Sequence, residues 1–165
     1  MTMNVINSIK AVIILQIDGR RAIAKYYDDQ LQSTCKQFER RLFSRTKTTK
    51  PKDEVLVMDS LLVVHKFITD SHIYVVGGRN ENPMVLEGVL SCLVEIINSL
   101  QTSSTSGNVV LENLSRVILA LDEICDSGMI LEIDPNLVIQ RITATNHDDF
   151  DLSMAQRTAR RIFGL

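Results

Sequence analysis

The chain has 165 residues, a formal net charge of −2, and 45% hydrophobic against 23% charged residues, which is the composition of one ordinary globular domain. With 7 glycines and 3 prolines it is neither collagen-like nor broadly disordered, and no uninterrupted apolar run reaches the length of about 18 residues that a membrane span needs. The near-zero net charge argues against a general polyanion binder, and the absence of Trp predicts a core of Ile, Leu and Val.

The first apolar segment and the cysteines bear on where the protein acts. Residues 11–17 are interrupted by Gln16 and lack a small-x-small cleavage site, so we expect no signal peptide. Cys35, Cys92 and Cys125 are an odd number at wide spacings, which predicts neither a disulfide framework nor a zinc site. A reducing, cytoplasmic location is the simplest interpretation.

The N-terminal third predicts a hairpin followed by a helix. The run Ile9–Ile17 is rich in β-branched residues and predicts a strand buried on both faces, in the middle of its sheet. Asp18-Gly19 supplies a two-residue turn, and residues 22–26 alternate as the return strand. Apolar residues at helical spacing then predict one helix from about Asp29 to Phe43.

A basic, solvated loop over residues 45–52 separates that helix from three further strands. The β-rich runs are Glu54–Met58, Leu61–Thr69 and His72–Val76, with two-residue links between them. Links this short join antiparallel neighbours, so the sequence predicts a three-stranded meander.

Two helices are predicted after the meander. Asn82-Pro83 is typical of an N-cap followed by Pro at the first helical position, and the apolar stripe behind it predicts a helix to Leu100. A second stripe predicts another helix, with Gly128 as the left-handed residue at its end. The apolar positions of that second stripe are Leu111, Leu114, Ile118, Leu121 and Cys125.

Two strands, a helix, three strands and two helices predict an α+β domain whose sheet is covered by helices, because so apolar a sheet would aggregate if left half bare. We expect the compact part to end near Glu132, with Leu137–Ile142 docked as an extended apolar strip. The predicted domain is therefore residues 1–142, and residues 143–165 form a polar linker and a short helical tail at Leu152–Phe163.

Catalysis needs side chains that converge, and the sequence offers few. His65, His72 and His147 have neither a partner at metal-ligand spacing nor a Cys-x-x-Cys nearby, so we predict no catalytic, metal or cofactor site. A cysteine hydrolase, in which one of the cysteines pairs with a histidine, is kept as a minor alternative.

Two other motifs have ordinary structural interpretations. Asp122, Glu123 and Asp126 are interpreted as a solvated helix face, because adjacent carboxylates point to different sides of a helix. Residues 77–79, Gly-Gly-Arg, lack the patterns of phosphate-binding loops, and we interpret them as a turn that uses glycine for backbone freedom.

Charge is distributed unevenly along the chain. Residues 20–52 hold ten basic against three acidic residues, and residues 108–151 hold nine acidic against two basic ones. We interpret these stretches first as solvated surface and second as a face for an oppositely charged partner. Nucleic acid is the poorer choice, because the basic stretch lacks regularly interleaved stacking aromatics.

Short motifs in a fixed order resemble one protein family. The opening hairpin is similar to that of the small chains of vesicle-coat adaptors, which have a longin-type fold; the matching residues are Ile13-Ile14-Leu15, Asp18-Gly19-Arg20 and Ala24-Lys25-Tyr26-Tyr27. A later series resembles the coatomer zeta subunits more than the sigma chains of clathrin adaptors. That series is Leu111-Glu112-Asn113, Leu121-Asp122-Glu123-Ile124, Asp126-x-Gly128-x-Ile130-Leu131-Glu132, Asp134-Pro135 and Val138-x-x-Arg141.

The resemblance covers about residues 9–142. It implies a longin-like, five-stranded, mostly antiparallel sheet between helices, and a protein with no enzymatic activity and no cofactor. It implies a constitutive heterodimer with the gamma coatomer subunit, whose helical trunk holds the small chain in the COPI coat. An Arf-family GTPase recruits that coat to Golgi membranes for transport back to the endoplasmic reticulum and within the Golgi, so a peripheral place on Golgi membranes and coated vesicles is expected.

Two related classes stay open as alternatives: a sigma-type clathrin adaptor small chain, and a longin regulatory domain of another trafficking complex. The dileucine-signal site of sigma chains is not carried over, because Glu112 stands where the sigma pattern has an apolar or aromatic residue. A carboxylate in an apolar pocket is costly unless it is paired. The resemblance assigns no partner-binding residue.

Overall fold

The computed structural model of the protein describes residues 9–47 and 54–144. Its main sheet has five strands: β1 (Ile9–Gln16), β2 (Arg21–Tyr26), β3 (Glu54–Met58), β4 (Leu61–Ile68) and β5 (Ser71–Gly78). They lie in the order β2-β1-β5-β4-β3, and every neighbouring pair is antiparallel. A small separate hairpin pairs β6 (Cys125–Asp126) with β7 (Met129–Ile130). The predicted hairpin, meander and α+β class are confirmed.

Helices cover both faces of this sheet. One face carries α1 (Asp29–Ser33) and α2 (Cys35–Thr46), whose apolar side chains pack on the sheet. The other carries α3 (Pro83–Leu100), a 3-10 turn (Gln101–Ser103), α4 (Val109–Glu112), α5 (Leu114–Ile124) and α6, at residues 135–144. The sheet therefore lies between two helical layers.

The central strands are apolar on both faces. In β1, Val12 and Ile14 point to the α3 side, whereas Ile13 and Leu15 point to the α2 side, and all four are fully buried. β5 is the middle strand and is buried from Ser71 to Gly77. The double-sided burial predicted for the first strand is confirmed.

The single helix predicted from Asp29 to Phe43 is wrong, because the chain breaks at Thr34. Asp28 caps α1 by accepting a hydrogen bond from the Leu31 amide at 3.0 Å. Thr34 has φ −111° and ψ 15°, which is not helical, and the backbone restarts there as α2. Threonine side chains compete for backbone hydrogen bonds, and the hydroxyl of Thr34 donates back to the Leu31 carbonyl.

The helix predicted over residues 111–125 is broken in the same way. Asn113 has φ −114° and ψ 28°, and its side-chain amide donates to the Val109 carbonyl at 3.0 Å. This break turns Leu111, Leu114 and Ile118 outward, so the predicted core stripe is wrong at these three positions. The residues that do face the core are Val109, Val110, Val117, Ala120, Leu121 and Ile124.

The C-terminal part of the described chain also differs from expectation. Leu137–Ile142 lies in α6 and is not an extended strip, because Asp134 accepts a hydrogen bond from the Asn136 amide at 2.9 Å and Pro135 opens the helix. Val138 and Ile142 are one turn apart and are buried in the core. The compact fold therefore continues past Glu132, and the predicted tail helix at 152–163 lies outside the described residues.

At two places the glycines belong to other elements than the sequence predicts. Gly128 has φ +84°, as predicted for a left-handed residue, but it belongs to the turn between β6 and β7 and not to a helix end. Gly77 and Gly78 are strand residues within β5, and neither is among the glycines with positive φ, so the predicted glycine turn is wrong.

By length and composition alone, α3 would pass as a membrane-spanning helix. It is instead the core helix of this fold, since eight of its side chains are buried and it packs on β4 and β5. Its apolar character follows from that position.

A buried polar chain lies under α2. Nε2 of His65 and Nδ1 of His72 are 3.0 Å apart, and both rings are nearly inaccessible to solvent. Phe43 of α2 contacts the His72 ring edge-on, and the hydroxyl of Tyr74 bonds that of Thr46 at 2.7 Å. These contacts fix α2 over the centre of the sheet.

Gly19 tests how tightly the first hairpin packs on α2. Its φ is +85°, and a Cβ there would lie 2.7 Å from Cδ1 of Phe43. Gly107 is a matched control, because its φ is +82° but no heavy atom lies within 4 Å. We expect Gly107→Ala to lower the free energy of unfolding by about 1–2 kcal/mol from backbone strain. Gly19→Ala should cost about 1–3 kcal/mol more from overpacking against Phe43. Equal losses in urea unfolding would contradict this packing.

The histidine pair predicts a pH dependence of stability. Burial lowers the pKa of His72 below its usual 6.5, so the unfolded chain binds a proton that the folded chain resists. The contribution of neutral His72 to the free energy of unfolding is fully present above a pH of about 6.5. As the pH drops below that value, the free energy of unfolding falls by at most about 1.4 kcal/mol per pH unit for this group. His72→Asn, which keeps a hydrogen-bonding atom near the Nδ1 position but does not titrate, should flatten the dependence between pH 7.5 and 5.5. An unchanged slope would show that this pair does not control it.

Candidate interaction surfaces

The two buried cysteines and the buried histidines lie in different layers. Cys92 and Cys125 belong to the core on the α3 side, whereas His65 and His72 lie on the α2 side, so the sheet separates them. Burial raises the pKa of Cys92 to about 11 and also raises the pKa of Cys125, the opposite of what a nucleophile needs. Cys35 is partly buried at the start of α2, beside Arg21 of β2, and His147 is outside the described residues.

Within residues 9–47 and 54–144, no group of three or more His, Cys, Asp or Glu side chains is placed to hold a metal ion. The acidic residues of α5 are each tied to a different cation. Asp122 pairs with Lys25 of β2, and Glu123 lies 3.5 Å from Arg141 of α6. These ion pairs attach α5 to its neighbours on both sides, and they do not bring the two carboxylates together.

A buried carboxylate positions the basic helix α2. Glu39 is 8% exposed and accepts from the Tyr26 hydroxyl at 2.6 Å, while Arg21 forms an ion pair with it at 2.6 Å. Two partners from β2 therefore satisfy the one acidic residue of the helix. The hydrogen bond with Glu39 is the main reason that the pKa of Arg21 is raised, so the guanidinium stays charged.

The outer side of α2 carries cations without ion-pair partners in the described part of the chain. Lys36, Arg40, Arg45 and Lys47 are all exposed, and no ion pair joins them to a described acid. Arg41 differs because it pairs with Asp59 at the β3–β4 turn. Within the described residues, the unpaired cations of the basic stretch are thus concentrated on α2.

Glu112 secures the link between α3 and α4. Its carboxylate accepts the backbone amides of Thr105 and Ser106 at 2.9 and 2.8 Å, as well as the Ser106 hydroxyl. These hydrogen bonds lower the pKa of Glu112 to about 2, and the bond from the Ser106 hydroxyl contributes most. The carboxylate that departs from the sigma pattern therefore holds the loop at Thr105 and Ser106.

Apolar side chains are exposed along the helical layer on the other face of the sheet. Leu111, Leu114 and Ile118, which we call the α5 stripe, are 40%, 36% and 38% exposed. Two polar residues border it: Ser115 and Arg116 are both exposed. An apolar centre with a polar rim is the composition of a protein–protein interface. The periodicity of the sequence predicts these residues as part of a core stripe, because it gives no sign that the helix breaks at Asn113.

A second exposed apolar site lies at the edge of the sheet. Val55 and Val57 of β3 are 58% and 61% exposed, although strands of such composition are normally covered. The β-rich run at residues 54–58 predicts this strand, but no local pattern places it at the edge, because the order of strands depends on the pairing of β1 with β5.

Comparison with known proteins assigns the fold. The sequence profile of the clathrin adaptor complex small chain family matches residues 8–149. A chain of a homology model of the full-length AP-3 complex, in a stretched open conformation, superposes with a TM-score of 0.62 over 89% of this chain and 98% of its own length, at 14% identity. The longin-like α+β fold predicted from the sequence is confirmed.

Three curated relatives narrow the family. Human coatomer subunit zeta-2 is 42% identical over 82% of this chain and 64% of its own length, so the chain spans less than two thirds of that relative. Human coatomer subunit zeta-1 is 38% identical over 86% of this chain and 80% of its own. Coatomer subunit zeta-3 of Oryza sativa subsp. japonica is 35% identical over 94% of both chains. The chain therefore belongs to the small-chain family of adaptor complexes and, within it, to the coatomer zeta subunits.

Proposed function

We propose that the protein is a non-enzymatic structural subunit of the COPI coat that pairs with the gamma coatomer subunit and acts in Golgi-to-ER and intra-Golgi transport. The proposed location is peripheral, on Golgi membranes and coated vesicles, where an Arf-family GTPase recruits the whole coat. The observation that carries the proposal is the kinship with coatomer zeta subunits over more than four fifths of the chain.

The surface of the protein supports a role in assembly. The α5 stripe presents three apolar side chains to solvent on the helical layer, and a partner helix could bury them. The basic α2 face and the ion-paired acidic helices lie on opposite sides of the sheet, so a partner would meet the chain in one orientation. We propose the α5 stripe as the part of the surface that packs against the helical trunk of the gamma subunit.

The same geometry favours a packing subunit over an enzyme. The buried thiols have raised pKa values, and the paired histidines lie across the sheet from them. Exchanging Cys35, Cys92 and Cys125 for Ser one at a time should leave unchanged any hydrolysis found in a preparation.

Co-expression with the gamma coatomer subunit tests the pairing. We expect a stable complex of one chain of each, measured by size-exclusion chromatography with light scattering. Leu114→Asp and Ile118→Asp should weaken it by about tenfold or more, because each places an unpaired charge in a desolvated apolar interface. Circular dichroism of each variant checks that the fold is kept.

Ile17→Asp is the matched control. Ile17 is 64% exposed in the β1–β2 turn and belongs to neither α4 nor α5, so its change should leave the affinity within about twofold. A chain that stays monomeric beside the gamma subunit would overturn the proposed pairing. A stable complex that is insensitive to the α5 stripe variants would keep the pairing and reject only the proposed face.

A further inference from the structure

We propose that the free edge of β3 is a docking site for an extended acidic segment of a partner protein, which adds to the sheet as a sixth strand beside Val55 and Val57. This goes beyond the proposed pairing with the gamma subunit, because it concerns a separate surface and an extended ligand. Three observations on β3 and α2, and a contrast with the opposite edge at β2, carry it.

Backbone groups of β3 on the side away from β4 have no partner strand among residues 9–47 and 54–144. Asp59 and Ser60 both have positive φ and form a two-residue turn that closes on the pair Met58–Leu61. The closing pair of such a turn is hydrogen-bonded, and bonded pairs alternate with non-bonded ones along an antiparallel ladder. The N–H and C=O groups of Val55 and Val57 therefore point away from β4, toward the open edge.

The side chains of the same two residues are also uncovered. Val55 is paired with Val64 and Val57 with Leu62, so their side chains lie on the α3 side of the sheet. The helix α3 packs on β4 and β5 and leaves Val55 and Val57 more than half exposed. A strand added at this edge would place its own apolar side chains beside them.

The other face of the same edge is basic. A groove runs between α2 and β3, and its lining residues are Arg41, Ser44, Arg45, Val57, Met58 and Asp59. Arg41 neutralises Asp59, which leaves Arg45 as a cation without an ion-pair partner in the described chain. An added strand alternates its side chains between the two faces, so apolar residues beside Val57 would alternate with acidic residues beside Arg45.

The opposite edge of the sheet lacks this combination. β2 carries Arg21 and Lys25, which are both ion-paired, and its pairing with β1 contains an irregularity between Ile14 and Leu15. Charges and bulges of this kind protect an edge from further strands. β3 pairs with β4 in unbroken register and has neither feature at Val55–Met58.

The probe is a capped seven-residue peptide of alternating valine and glutamate, and its counterpart has lysine in place of glutamate. With the full chain labelled for NMR, the glutamate peptide should slow hydrogen exchange at the Val55 and Val57 amides. The lysine peptide should bind at least about tenfold more weakly, because it meets Arg45 with like charge. Equal binding of the two peptides, or protection elsewhere but not at β3, overturns the proposal.

Two arginines of one helix provide the matched pair of variants. Arg45→Glu should weaken binding of the glutamate peptide by about tenfold. Arg40→Glu should change that affinity by less than about twofold, because Arg40 is exposed but outside the groove. Equal losses of affinity in the two variants would mean that the peptide is attracted by overall charge, and would overturn the proposed site. The β5 amide shifts in each variant check that the fold is unchanged.

A backbone variant tests strand addition directly. Val57→Pro removes an N–H that faces the open edge and should abolish binding, while Val57→Thr keeps it and should bind within about threefold. Binding that survives Val57→Pro, in a variant whose β5 amides are unshifted, would exclude strand addition.

Other occupants of the edge are separate outcomes that count against the proposal. Protection of the Val55 and Val57 amides in the free monomer would mean that another part of this chain covers β3. A dimer in light scattering that dissociates in Val57→Pro would mean that a second copy covers it.

Discussion

The whole structure depends on the burial of two central strands on both faces. β1 and β5 are paired with each other, and their side chains are almost all inaccessible to solvent from either side of the sheet. Each face must therefore be covered by helices, since burial of apolar area is the main favourable contribution to folding. α2 covers one face and α3, α5 and α6 cover the other, while the outer strands β2 and β3 receive less protection.

That arrangement explains why the functional features lie at the periphery. The ion pairs, the buried Glu39 and the histidine pair all fasten helices to the sheet, and none forms an open pocket with convergent reactive groups within the described residues. What remains available on the outside is the α5 stripe, the basic side of α2 and the edge of β3. We propose these as surfaces for other proteins, in keeping with the coatomer zeta family to which the chain belongs.

The predictive power of the sequence followed the strength of its local patterns. Runs of β-branched residues such as Ile9–Gln16 are unambiguous, so strands and their antiparallel links could be predicted closely. The apolar spacing predicts two continuous helices, but each is broken at a single polar residue, Thr34 or Asn113. The second break turns the α5 stripe outward. No local pattern reports which strand becomes an edge, so the exposure of Val55 and Val57 required the structure.

The five-stranded sheet forms a stable core without a partner, and we propose that other proteins cover the outer surfaces. Hydrogen exchange of the full chain, alone and in complex with the gamma coatomer subunit, tests it most directly. The account predicts that β1 and β5 are the most protected segments in both states, and that the complex adds protection at α4 and α5. Weak protection of β5 in the free chain, or a complex with no change at α4 and α5, would contradict it.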